Sequence, residues 1–213
     1  MIVAGVGIVA WTAAVYLWKD PFTTAYTAWE QRRLEGSLER TIEEWQPRPA
    51  RKREPQSQAQ RRVDVRREAR AYRASIGEGD AVARLEIPRL DLDVVVVNGT
   101  DTGILRRGPG RHLETSMPGE GELVYIAGHR TTYGAPFSHI DELRRGDRVH
   151  LELPYATVEY RVTGSRIVDR DELSVLESRG REELVLQACH PRFFSSERYL
   201  VYARPVQVLG KRV

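Results

Sequence analysis

In this 213-residue sequence, the single cysteine, five histidines and a late arginine are the side chains whose placement points to covalent chemistry. Cys189 closes the apolar run Leu184-Val-Leu-Gln-Ala-Cys189 and is followed by His190-Pro191, where the chain must turn. A strand end holds a side chain firmly at a rim, which suits a nucleophile. The other reading of a lone cysteine is a small buried hydrophobe. An unperturbed thiol titrates near about 8.5, so an acting cysteine needs an imidazole or a cation beside it.

The histidines are His112, His129, His139, His150 and His190. His129 follows the apolar run Leu123-Val-Tyr-Ile-Ala127 directly and so also stands at a strand end. His150 alternates with Val149 and Leu151 and faces away from them. His190 adjoins the cysteine, but neighbours on an extended chain point apart. His139 falls in a short helical stretch and His112 in a Gly/Pro-rich turn. His129 is therefore the best partner for Cys189. Acyl transfer also needs a donor where negative charge develops on oxygen. Arg198 opens the strand after the cysteine loop, nine residues beyond Cys189. If 183–189 and 198–208 pair as an antiparallel hairpin, Arg198 comes beside the thiol with its permanent charge and planar fork of donors. A salt bridge to Glu197 is its alternative role.

These residues need a scaffold, and the segment past Gly77-Glu-Gly79 supplies β-rich runs near 81–87, 93–97, 122–127, 148–153, 156–168, 183–188 and 198–208. Seven short strands at this spacing predict a closed barrel or sandwich. Short helical pieces fit 100–107, 136–144 and 171–178. Further upstream, Leu34, Leu38, Ile42 and Trp45 mark one face of a helix over 22–46, and Val65, Ala69, Tyr72 and Ile76 one over 61–76. Between them Pro47, Pro49 and Pro55, with Arg, Gln and Ser, read as a linker.

Residues 1–18, MIVAGVGIVAWTAAVYLW, carry no charged side chain, and Lys19-Asp20-Pro21 ends the run. As a helix they rise roughly 27 Å, close to the hydrocarbon thickness of a bilayer. The expectation is a single-pass anchor, with a cleaved signal peptide or a buried core helix as the alternatives, followed by a helical and Pro/Arg-rich linker over 19–79 and the catalytic domain over 80–210. Lys19, Arg32 and Arg33 follow the run, a bias that by itself would place the C-terminal part in the cytoplasm.

Composition narrows the functional classes. One cysteine excludes an intramolecular disulfide and Cys-rich zinc frameworks. The net charge of +3 is unevenly spread: residues 1–47 and 74–213 each carry −2, and residues 48–73 carry +7. The sequence pI of about 9.1 thus comes from a short stretch, which argues against nucleic acid as a partner. That stretch reads as a solvated linker and helix face, with binding of an anionic lipid or polymer as the alternative. The glycines at 99, 103, 108 and 110 match no phosphate-binding loop, and no carboxylate or histidine cluster has metal-ligand spacing. No cofactor is expected.

The string Ala127-Gly-His-Arg-Thr-Thr-Tyr-Gly-Ala-Pro-Phe137, the Cys-His-Pro at 189–191 and Arg198 resemble the sortases, Gram-positive transpeptidases that attach proteins to peptidoglycan. Gly108-Pro-Gly-Arg-His112, Met117-Pro-Gly119 and Leu143-Arg-Arg-Gly-Asp147 extend the likeness, which covers about residues 80–210. The sequence looks most like class E, with class D a close competitor. The resemblance implies a mainly β fold, an eight-stranded barrel with short helices, preceded by the membrane helix and linker region.

It further implies Cys189 as nucleophile, His129 as acid/base and Arg198 steadying substrate or oxyanion. The substrate would be a secreted protein with a C-terminal LPXTG-like or LAXTG-like signal, cleaved between Thr and Gly through a thioester. An amine on a peptidoglycan precursor would accept the acyl group. The enzyme would sit at the cell membrane with its catalytic domain outside, against the charge bias noted above. Tyr133, Gln187 and Ala188 are candidate substrate-binding residues. The sequence departs from the family at Ala188, where the run before the nucleophile usually carries threonine. Two other readings of the same residues are a cysteine hydrolase passing the acyl group to water and a non-catalytic membrane-tethered binding module.

Overall fold

Alternation of side chains builds the C-terminal part. In Arg148–Leu153 the buried positions are Val149, Leu151 and Leu153, and the residues between them face outward or lie half covered. The computed structural model describes Gly5 and residues 21–46 and 58–210. Its strands are β1 (Ala81–Ile87), β2 (Leu92–Asn98), β3 (Gly110–Arg111), β4 (Leu123–Ala127), β5 (Arg148–Leu153), β6 (Ala156–Asp169), β7 (Glu183–His190) and β8 (Glu197–Gly210). They close into a barrel in the order β1-β2-β3-β4-β7-β8-β6-β5. Closure leaves no long free edge for another chain to pair with.

Leu85, Ile126, Leu151, Val158, Tyr160, Leu184, Leu186 and Val201 fill the interior. Two helices precede the barrel, α1 (Pro21–Glu44) and α2 (Gln58–Ser75), and a one-turn helix, α3 (Thr102–Leu105), follows β2. The faces expected from spacing are the ones buried. Leu34 and Leu38 of α1 pack with Ala81, Val95, Val97 and Ile104, each burial stabilising the fold by about 2 kcal/mol. In α2, Val65, Ala69 and Tyr72 join the main core. The Tyr72 hydroxyl sits 3.1 Å from the carbonyl oxygens of both Ala81 and Val82, tying α2 to the start of β1.

One strand joins the seven read from the sequence, and two local expectations change. β3 is two residues long, too short to carry an alternation, and it pairs in parallel with β2 and antiparallel with β4. The helices expected over 136–144 and 171–178 reduce to single 3-10 turns, Ile140–Glu142 and Leu173–Leu176. Both stretches are irregular turns on the barrel surface, where too few successive residues are helical to complete an α-turn. The expected anchor over 1–18 and the proline-rich stretch 47–57 lie outside the described residues, Gly5 excepted. No helix among the described residues is long and apolar enough to cross a membrane.

Candidate active site

β7 lies between a parallel neighbour, β4, and an antiparallel one, β8. Its interior face is Leu184, Leu186 and Ala188, all in the barrel core. The alternate positions Val185, Gln187 and Cys189 share the outer face. There Val185 packs with Leu123, Tyr125 and Ala127 of β4 and Leu200 of β8, with Leu105, Val175, Leu176 and Tyr202 against them. A second, covered apolar layer thus runs along the outside of β4, β7 and β8, toward the end where Cys189 sits half-buried.

The β7–β8 ladder sets Cys189 directly opposite Arg198. Arg198 Nη1 donates to the carbonyls of Ser195 (2.9 Å) and Glu197 (3.0 Å). Nε and Nη2 remain as donors at the strand end. The carboxylate of Glu197 makes no ion pair with this arginine, so Arg198 is held by backbone oxygens. Next to β7, the β4–β7 ladder ends at Ala127 opposite Gln187, and Gly128 N–H donates to the Gln187 carbonyl at 2.9 Å. His129 follows one residue later. Cys189, Arg198 and His129 therefore stand at the same end of three neighbouring strands.

The turn after β4 is shaped by close packing. A Cβ at Gly128 would lie 2.6 Å from the Phe137 ring, so only glycine lets that buried ring pass under the strand end. The Phe137 N–H donates to the His129 carbonyl at 3.0 Å and closes the loop. Burial, and second the positive charge of Arg106, lower the proton affinity of His129 below its ordinary value. Its Nε2 is buried without a hydrogen-bond partner. The imidazole is thus biased toward its neutral form, ready to take a proton.

The remaining candidates separate. The Tyr133 ring stands 5.1 Å from that of His129. Gln187 shares the face of Cys189, with its Oε1 accepting from the Tyr125 hydroxyl at 3.3 Å. Ala188 is fully buried in the barrel interior, so any influence on a ligand passes through packing. His190 points to Arg130 and packs against Tyr199, His139 meets Glu142, and His150 lies between Glu86 and Glu159.

Arg130 is the residue sequence reasoning passed over. Its side chain is 3% exposed, and it pairs with Asp141 at 2.8 Å. It also donates to the Cys189 carbonyl at 3.3 Å, meets His190 Nδ1 at 2.9 Å and stacks on the Tyr199 ring. One guanidinium therefore binds the histidine loop to the end of the cysteine strand. Its position next to His129 was the only signal in the sequence. No group of histidine, cysteine and carboxylate side chains among the described residues has the makings of a metal site.

Comparison with known proteins bears on this arrangement. A family model described as "Sortase domain" matches residues 85–206. The chain is 33% identical over 132 residues to Sortase D of Bacillus subtilis (strain 168), covering 60% of this chain and 65% of that protein, just under two thirds of its length. Among solved structures, sortase E from Streptomyces avermitilis superposes with a TM-score of 0.58 at 29% identity, over 63% of this chain and 93% of that one. The Clostridium perfringens Sortase D5 transpeptidase shares the fold with a TM-score of 0.66 at 20% identity, over 84% and 99% of the two chains.

Proposed function

Because the chain belongs to the sortase family, we propose that it is a membrane-anchored cysteine transpeptidase with Cys189, His129 and Arg198 as its catalytic residues. The observation that carries this reading is the strand register, which faces Cys189 with Arg198 while β4 delivers His129 alongside.

In the proposed reaction, Sγ of Cys189 attacks the carbonyl carbon of threonine in an LPXTG-like or LAXTG-like signal as the thiol proton passes to His129. Arg198 donates from Nε or Nη2 to the oxyanion that forms. Collapse breaks the Thr–Gly bond, His129 gives its proton to the departing glycine amine, and a thioester remains on Cys189. An amine of a peptidoglycan precursor then attacks the thioester. Its proton moves to His129 and on to the sulfur as the new amide forms. Gln187 and Tyr133, both half-buried beside Cys189 and His129, would meet the signal.

The neutral form favoured at His129 supports its role as the first proton acceptor. The uncharged run 1–18 supports a single-pass location in the cell membrane, with the barrel on the outer side where secreted proteins and wall amines meet it. Ala188, facing the core, would tune the site through packing around Cys189.

Incubating the full chain with an LPXTG or LAXTG peptide and resolving the products by mass spectrometry tests the proposal. The expected result is a thioester-linked intermediate that Cys189→Ala abolishes, and a ligated product when oligoglycine or a diaminopimelate mimic is added. Cleavage undiminished in Cys189→Ala sinks the mechanism. Free acid as the sole product in the presence of amine would make the protein a hydrolase.

A further inference from the structure

An acid/base histidine must be held in one orientation, yet the buried Nε2 of His129 has no hydrogen-bond partner. What touches the ring is a stack. Tyr133 lies 5.1 Å away at an interplanar angle of 36°, and the guanidinium of Arg106 lies 5.6 Å over the far partner, the Tyr133 ring. Histidine, tyrosine and arginine thus form three successive layers, drawn from the loop after β4 and the segment after α3.

The tyrosine and arginine layers are both held from α1. The Tyr133 N–H donates to Thr23 Oγ1 at 3.2 Å. Thr27 Oγ1 donates to the Arg106 carbonyl at 2.8 Å, and its methyl stands 3.5 Å from the place a Cβ would take at Gly134. The held loop is strained: Tyr133, Gly134 and Ala135 take φ values of 51°, 71° and 44° in succession. Tyrosine and alanine adopt this left-handed conformation only where their surroundings over-determine it.

α1 itself is keyed to the barrel one turn later. The Gln31 amide donates to the carbonyls of Val95 (3.0 Å) and Arg107 (2.8 Å) and accepts from the Val95 N–H at 2.7 Å. Glu30 pairs with Arg107 at 3.0 Å.

The geometry points to α1 as a positioning element of the active site: through Thr23 and Thr27 it fixes Tyr133 and Arg106, and through them the imidazole of His129. On this view, which rests on the acid/base role given to His129 above, helix and barrel form one catalytic unit. The family match covers residues 85–206, so Thr23 and Thr27 of α1 lie outside it while Arg106, His129 and Tyr133 lie within.

The charged group acting on His129 is Arg106 and the ring stacked on it is Tyr133, while Cys189 of β7 and Arg198 of β8 stand at the same end of the neighbouring strands. Arg106 already contributes, after burial, to the lowered proton affinity of the ring. A nearby cation opposes protonation, so loosening Arg106 raises the His129 pKa.

The test uses the full chain with the double substitution Thr23→Val and Thr27→Val, which keeps side-chain shape and removes both hydroxyls. Three readouts are taken: kcat and KM for an LPXTG or LAXTG peptide, the acid limb of the pH–rate profile, and NMR titration of the His129 imidazole in a Cys189→Ala background. The expected result is a fall in kcat of about tenfold with KM nearly unchanged, and a His129 titration moved to higher pH. Thr23→Ser with Thr27→Ser should restore both.

A folded valine variant with unchanged kcat and unchanged titration overturns the proposal. If the valine variant does not fold, Arg106→Gln keeps the α1 contacts and removes the cation. It should raise the His129 titration, and an unmoved titration there is equally fatal. Because the titration needs no turnover, a shifted His129 in a protein that transfers no peptide would uphold the coupling while sinking the reaction proposed above.

Discussion

Cys189 and Arg198 on one side, and His129 on the other, are placed by different means. The first two face each other because β7 and β8 are joined by a continuous antiparallel ladder from Leu184↔Ala203 to His190↔Glu197. Backbone hydrogen bonds set the register of that pair. His129 stands one residue beyond the last β4–β7 contact, in a loop whose shape depends on the buried Phe137 ring, on Arg130 reaching across to β7, and on Thr23 of α1. Half of the site is thus built by the ladder and half by tertiary packing. The ladder-built half should tolerate side-chain changes without structural cost, and the packed half should not.

The sharpest way to break this contrast is Arg198→Ala. It removes donors but no ladder bond, so kcat should fall by about 10² to 10³-fold while the melting temperature stays near that of the parent. A large loss of stability would show that Arg198 holds the strand end after all. Peptide cleavage kinetics beside thermal melting decide it.

On the packed side, Gly128→Ala forces a methyl to within 2.6 Å of the Phe137 ring. Overpacking of this kind costs about 1–3 kcal/mol, and displacement of His129 should lower kcat by about 30-fold. Both losses must appear together. Full activity in a stable variant would mean that the loop adjusts without moving the histidine.

Arg130→Met is next in size. It strips the link between the Cys189 carbonyl, His190 and Asp141. Because Asp141 keeps access to water, the expected loss is about 2 kcal/mol, with activity down about tenfold. Arg130→Lys should recover little, since one ammonium cannot span three partners and stack on Tyr199.

The smallest effect is in the pH dependence. With its proton affinity lowered by burial and by Arg106, His129 stays neutral below the ordinary value of 6.5. The acid limb of kcat/KM should therefore fall below pH 6.5. Stability has the same sign: the unfolded chain takes up this proton at the ordinary value while the native site resists. Acidification below about 6.5 thus favours unfolding until the native pKa is passed. Urea midpoints measured between pH 7 and 5 in the parent and His129→Gln separate this contribution from other groups.

The same division explains what could be read from the sequence. Apolar spacing located the helix faces bearing Leu34 and Leu38, and Val65, Ala69 and Tyr72, because burial imposes a period that residues display directly. The long strands and the β7–β8 hairpin were legible for the same reason, and with them the pairing of Cys189 and Arg198. β3 escaped because Gly110-Arg111 has no alternation to display. The parallel pairing of β4 with β7 joins segments some sixty residues apart, which no local pattern encodes. Arg130 reads as a surface residue, since arginine is almost never fully buried unless paired, and the partners that bury it lie elsewhere in the chain. The Thr23–Tyr133 contact spans 110 positions between two ordinary polar residues.

The alternating faces of β7 carry one further consequence. Leu184, Leu186 and Ala188 point inward and Cys189 outward, so adding or removing one residue within the strand would exchange the faces. Cys189 would be swallowed by the core and an alanine presented in its place. The connections on either side, 170–182 and 191–196, impose no such parity. In descent, then, this strand is a segment of fixed length, and changes of length fall to the loops that border it.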